Sequence, residues 1–246
     1  MLMSAAREIV FGFFLTSHSK FNKMTATYLL INLLSIAVPF AYSFTAHSGF
    51  SKQFGRAWTA ILIVAIPMLV WDVIFTARGV WSFNPAYYLG FTLLGLPFEE
   101  ILFFFCIPFA CLFIYDAVKK YPRLALPEKP VHAVAGALGL LLLVLAALNT
   151  HRAYTFWCFL LASPFALALA AGYLRDRAGH IATAYLFHLI PFLIVNGILT
   201  GLPVVQYNDA ENLGLRIGTI PVEDSMYSLI LLFGAIFWME RGRTHG

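Results

Sequence analysis

Seven runs of about twenty mostly apolar residues, each bounded by polar connectors, restrict what this chain can fold into. They lie near 25–45, 57–75, 93–115, 131–148, 154–172, 181–200 and 219–239. A helix crossing a hydrocarbon core about 30 Å thick needs about 20 such residues. Hydrophobic residues make up 61% of the 246 and charged residues 11%, against roughly a quarter charged in a soluble domain, so a water-soluble globule is excluded. No segments of alternating apolar and polar residues read as barrel strands, and the expectation is an all-α integral membrane protein of seven transmembrane helices. The net charge of +4 is spread over short connectors rather than gathered in a patch, which argues against nucleic acid as a partner. Cys106, Cys111 and Cys158 lie inside apolar runs, where a thiol acts as a small hydrophobe, and their spacing fits neither a zinc site nor a disulfide framework.

Residues 1–24 fit the pattern less well. The apolar stretch from Ile9 to Leu15 is too short to span and no small-residue cleavage site follows it, so it reads as a surface extension, with Met24 a second possible start. With the amino terminus outside, the inner connectors hold Lys52, Arg56, Lys119, Lys120, Arg123, Lys129, Arg175, Arg177, Arg241 and Arg243. The opposite side holds Arg7, Lys20, Lys23, Arg78, Arg152 and Arg216. Ten against six predicts a cytoplasmic carboxyl terminus in the cell (inner) membrane.

Sliding the chain against itself by 124 residues aligns residues 72–101 with 196–225 without a gap, with nine identities in thirty positions. The identities include Thr76 with Thr200, Asn84 with Asn208, Gly90 with Gly214, Pro97 with Pro221 and Glu99 with Glu223, and similar pairs include Asp72 with Asn196, Phe83 with Tyr207 and Glu100 with Asp224. Two greasy segments that agree by chance agree at Leu and Val, whereas these agree at Asn, Gly, Pro and Glu. The shift carries the first three spans onto the last three and leaves the fourth alone, predicting a 3+1+3 internal repeat. Four crossings separate equivalent spans, so the repeats are parallel, related by an axis along the bilayer normal. The expected divisions are an extension (1–24), a first repeat (25–120), a linker with the central span (121–150) and a second repeat (151–246).

Ionisable groups inside a membrane cost several kcal/mol and are functional candidates by default. Asp72 lies in the second span, Glu99 and Glu100 open the third, and Glu223 and Asp224 open the seventh. Pro97 and Pro221 are expected in the first helical turn, where a missing N–H is tolerated. The acids then meet the positive end of the helix dipole. One reading makes them helix-start charges facing headgroups. The other places them inside the bundle, because lipid-like sequence follows at once. Adjacent helical residues differ in direction by about 100°, so one acid of each pair can face the interior. A carboxyl in a water-poor pocket holds its proton and can donate it near neutral pH, and an ionised neighbour can take one back. Trp81, Phe83, Tyr87, Tyr88, Phe103 and Phe104 lie close by in sequence and form either an interfacial belt or a wall whose faces stabilise a cation. Asn84, Asn208 and Arg216 read as connector-holding residues.

With PFEE at 97–100, PVED at 221–224, and the approaches WSFNPAYYLG and QYNDAENLGLRIG, the chain from Met24 onward resembles the membrane-embedded lycopene cyclases of some bacteria, archaea and fungi, in their fused form. The resemblance implies β-ionone ring formation on lycopene, giving γ-carotene and then β-carotene. It implies a lipophilic carotenoid substrate in the bilayer and a place beside other carotenoid-pathway enzymes. Proton addition, ring closure and proton loss involve no net redox change. The expected roles are Glu99 or Glu100 as donor, Glu223 or Asp224 as acceptor, and Asp72 as an orienting group, with Asn196 and Tyr207 completing the substrate wall. No cofactor is evident: a G-x-G-x-x-G after a strand is lacking, which leaves a bound flavin open.

Rivals fit less well. A retinal protein needs a lysine in a late span, and the seventh has none. A prenyl-peptide protease usually carries Arg four positions after the second Glu, where this chain has Phe104. A membrane prenyltransferase needs magnesium-binding acids, for which Asn208–Glu211 is the sole candidate. A non-enzymatic carotenoid binder would leave the pigment's spectrum unchanged.

Overall fold

The computed structural model describes residues 24–174 and 177–241, so the expected extension before Met24 lies outside the described residues. Among the described residues seven α-helices follow in order: α1 (Thr27–Ser43), α2 (Phe54–Ala77), α3 (Phe98–Lys119), α4 (Glu128–Leu148), α5 (Ala153–Ala170), α6 (Ala178–Gly201) and α7 (Val222–Arg241). Six are long and apolar enough to cross a membrane; α1, with 17 residues, is apolar but shorter. Pro39, Pro67, Pro108, Pro164 and Pro191 lie inside helices, a placement that membrane helices tolerate because packed neighbours can satisfy the freed carbonyls.

The sequence shows no strands, but the structure has six short ones in the long connectors at one end of the bundle: β1 (Trp81–Phe83), β2 (Thr92–Leu93), β3 (Leu96–Pro97), β4 (Val205–Tyr207), β5 (Arg216–Ile217) and β6 (Ile220–Pro221). Two or three residues are too few to show a period of two. The hairpins β2–β3 and β5–β6 delay α3 and α7 from their expected starts near 93 and 219 to Phe98 and Val222. Pro97 and Pro221 mark the helix starts as expected, each ending a strand immediately before the first helical residue rather than lying within the first turn.

Strands β1 and β4 pair antiparallel, with Trp81 opposite Tyr207, Ser82 opposite Gln206 and Phe83 opposite Val205. Ser82 and Gln206 stand 124 residues apart, so each faces its counterpart under the sequence shift. Flanking the ribbon, Asn84 N donates to Val204 O (3.0 Å) and Asn208 N donates to Val80 O (2.9 Å). Phe98 N bonds Phe91 O (2.9 Å) as Val222 N bonds Leu215 O (3.0 Å). Gly90 and Gly214 both take positive φ, +92° and +70°, a conformation that favours glycine and explains why the two stretches agree there.

The other end is tied by charge. Asp116 accepts from Gln53 Nε2 (2.6 Å) and pairs with Lys120 (2.9 Å), while Glu240 pairs with Lys119 (2.7 Å) and with Arg177. Helix α4 packs along α5, with Gly136 and Gly139 against Ala170 and Leu167. The connector leading into α4 approaches α6 more closely still, because a Cβ on Gly179 would lie 2.0 Å from Leu126 O. Backbone cannot yield there as a side-chain tip can. Gly179→Ala is expected to destabilise the bundle by about 1–3 kcal/mol, read as a lower Tm in detergent; an unchanged Tm would contradict this close approach.

Candidate active site

Each acid pair occupies the first turn of its helix, where the unpaired N–H groups and dipole favour negative charge. The 100° step between neighbours separates the members of each pair. Glu99 and Glu223 are fully buried, 0% exposed, and each turns back onto its own connector. Glu99 Oε1 accepts from Leu89 N (2.8 Å), and Glu223 Oε1 accepts from Leu213 N (2.8 Å) and Thr155 Oγ1 (2.6 Å). Their second oxygens have no hydrogen-bond partner among the described residues. These two acids fold the loops, and neither lines the cavity.

Glu100 and Asp224 face the interior. Both line a single cavity of about 440 Å³ to which every helix except α4 contributes. Tyr28 OH donates to Glu100 Oε2. Asp224 is bonded on both oxygens, by Tyr154 OH (2.5 Å) and Tyr207 OH (2.9 Å). Asp72 forms part of the same wall, with Trp81 Nε1 donating to its Oδ1 (2.6 Å) and its buried Oδ2 without a hydrogen-bond partner among the described residues. Asn196 lines the cavity too. The burial of these groups excludes the headgroup-facing arrangement.

Aromatic rings close the chamber. Trp81 meets Tyr154 near-perpendicularly, with centroids 5.2 Å apart, and Tyr154 stacks on Tyr207 at 5.8 Å. Phe83 and Phe103 also line it. Tyr87, Tyr88 and Phe104, expected in the same wall, do not. Tyr87 O accepts from Tyr28 N (3.1 Å), which folds the connector over the start of α1 and packs both tyrosine rings beside Tyr28, Ile31, Leu199 and Val204. Phe104, one helical step past Phe103, turns into the core against Tyr227.

The connector residues have local tasks. Asn84 Oδ1 accepts from Ala86 N (3.0 Å) and Asn208 Oδ1 from Ala210 N (3.1 Å), while Arg216 binds Thr219 O (2.9 Å) and pairs with Asp209. Glu211 accepts from Ala153 N (2.9 Å) at the start of α5. Both acids of the Asn208–Glu211 stretch are thus engaged in shaping the loop, an arrangement unlike a magnesium-binding loop for diphosphate.

Sequence reasoning missed Tyr28, Tyr154 and Tyr227. The first two mark the starts of α1 and α5, but they are 126 residues apart, so the gapless shift of 124 passes them by. Searching each half for tyrosine at the head of its first span would have found them. Asn32 Nδ2 to Glu99 O (2.7 Å) and Cys158 Sγ to Glu223 O (3.2 Å) repeat the same spacing.

Fold and chamber together define a multi-pass membrane protein that presents carboxyls, hydroxyls and aromatic faces to a largely apolar cavity. The sequence model of the lycopene cyclase family matches residues 25–118 and 151–241. The chain belongs to the lycopene cyclase family, and with it to the enzymes that cyclise carotenoids. No curated protein and no solved structure matched the chain.

Replacing Glu223 by Leu leaves Leu213 N and the Thr155 hydroxyl without their acceptor. A loss of about 1–3 kcal/mol is expected, measured as a lowered Tm in detergent. Wild-type stability would show that this carboxylate does not hold its connector.

Proposed function

We propose that this chain is a lycopene β-cyclase working by acid-base chemistry, with Glu100 as proton donor and Asp224 as acceptor. The observation that carries the reading is the meeting of these two acids, one from α3 and one from α7, in one aromatic-walled cavity. Asp224 accepts hydroxyl hydrogen bonds on both oxygens, an arrangement suited to an acceptor. Glu100 has one such bond and keeps an oxygen for the transferable proton.

The step balances without an oxidant or reductant. Glu100 protonates the terminal double bond of the open chain, leaving a tertiary cation. The neighbouring alkene supplies the electron pair that closes the ring, and the cation moves to the ring. Asp224 removes a proton from the adjacent carbon, and the ring double bond forms. Asp224 then releases that proton and Glu100 takes one up from solvent between turnovers, which restores the starting state. No cofactor is required by this balance, and the aromatic faces stabilise the cation without trapping it. Asp72, held by Trp81, orients the wall.

The same proposal includes a duplicated architecture of seven spans, with repeats at 25–120 and 151–246 and α4 as the linker span. The reciprocal bonds across β1 and β4 and the two-part family match support it. The distribution of basic residues supports an acid chamber toward the outer face and a cytoplasmic carboxyl terminus.

Glu100→Gln and Asp224→Asn are each expected to slow cyclisation by about 10²–10⁴-fold, whereas Glu99→Gln, which keeps an acceptor for Leu89 N, retains activity. Carotenoids extracted from lycopene-producing cells give the readout by spectrum and chromatography. Full activity in both Glu100→Gln and Asp224→Asn would end this assignment.

A further inference from the structure

The cavity does not stop at the acids. From Glu100 it continues down α3 past Phe103, Ile107 and Ala110 to Ile114, a length of roughly 21 Å at the helical rise. Along that course α1 and α6 form its sides. The lips are open to the surroundings: Leu34 and Val38 of α1 are 72% and 71% exposed, and Ile194 of α6 is 59% exposed. In a membrane these lips face acyl chains, so the groove opens sideways into lipid.

The two halves contribute unequally to this groove. Apart from Asp72 and Tyr154, α2 and α5 contribute nothing to the cavity. The reason lies at one pair of positions. Under the 124-residue shift, Ala110 and His188 correspond to Gly234 and Val64. Val64 Cγ2 lies 3.0 Å from where a Cβ on Gly234 would sit, so α2 and α7 close against each other at that level. At Ala110 and His188 both residues line open space.

We propose that the polyene binds end-on, with its reacting end among Glu100, Asp72 and Asp224 and its chain laid along the single α1–α3–α6 groove into the bilayer. Substrate enters and leaves sideways from lipid, and each binding event closes one end. A molecule closed at both ends must therefore leave and return reversed, so the one-ring product appears free before the two-ring product. This rests on the cyclisation reading and adds to it the path, the orientation and the order of products.

The test narrows the groove about 15 Å from the acids. Ala110→Leu and Ala110→Trp are compared with Ser35→Phe, which intrudes from α1, and with Ala168→Trp, which fills the separate recess of about 300 Å³ between α5 and α7. Membranes carrying equal amounts of inserted protein are supplied with lycopene, and products are followed over time. Ala110→Trp and Ser35→Phe are expected to lose about tenfold or more in rate, Ala110→Leu to fall between, and Ala168→Trp to stay within about twofold of wild type. A variant that does not insert is replaced in the comparison by the other wall's variant. Full rates with either wall blocked, an equal loss in Ala168→Trp, or a two-ring product with no free one-ring precursor would overturn the groove while leaving the cyclisation intact. A wild-type chain that forms no ring at all would overturn the cyclisation reading, and the groove with it.

Discussion

Four carboxyls buried at the heads of two apolar helices are the constraint on which the rest of this structure depends. Each must be satisfied, because a buried acid without partners costs several kcal/mol. The 100° step along the helix divides the work. Glu99 and Glu223 take backbone N–H groups from Leu89 and Leu213, and so fold the connectors down over the bundle. Glu100 and Asp224, left facing inward, take tyrosine hydroxyls from α1, α5 and β4. The connectors, once folded, pair through β1 and β4 and bring Trp81 beside Asp72 and Tyr207 beside Asp224. Loop structure, chamber wall and acid placement therefore follow from one solution to the burial problem.

Near-symmetry and its failure both matter. The ribbon, the hairpins and the acid pairs are matched across the two halves, which brings one interior acid from each into a common space. Below the chamber the match breaks, because Gly234 admits Val64 where Ala110 leaves a gap. A head matched in both halves above an unequal groove suits the asymmetric placement of a long chain that we propose, with the proposed donor and acceptor drawn from different halves.

Much of this was legible in the sequence. Long apolar runs identify the helices directly, and the agreement of Asn, Gly, Pro and Glu at a fixed shift points to the connectors and acids. The strands were hidden because two or three residues show no periodicity. Which acid of each pair faces inward was equally hidden, since a single helix step decides it and neither the bonds to Leu89 N and Leu213 N nor the packing of α1 shows in the residue order. Tyr28 and Tyr154 escaped because a two-residue difference between the halves moves them out of register. Tyr87, Tyr88 and Phe104 were drawn in by proximity along the chain, but their rings fill contacts beside the chamber.

Solvent isotope incorporation tests the central claim most directly. Membranes holding the protein in deuterium oxide, supplied with unlabelled lycopene, should release product carrying one deuterium for each ring closed, because the donor exchanges with solvent between turnovers and its deuteron stays on the carbon it attacks. Rings formed with no deuterium, or formed only when an oxidant or reductant is consumed in proportion, would contradict proton-initiated closure by buried carboxyls.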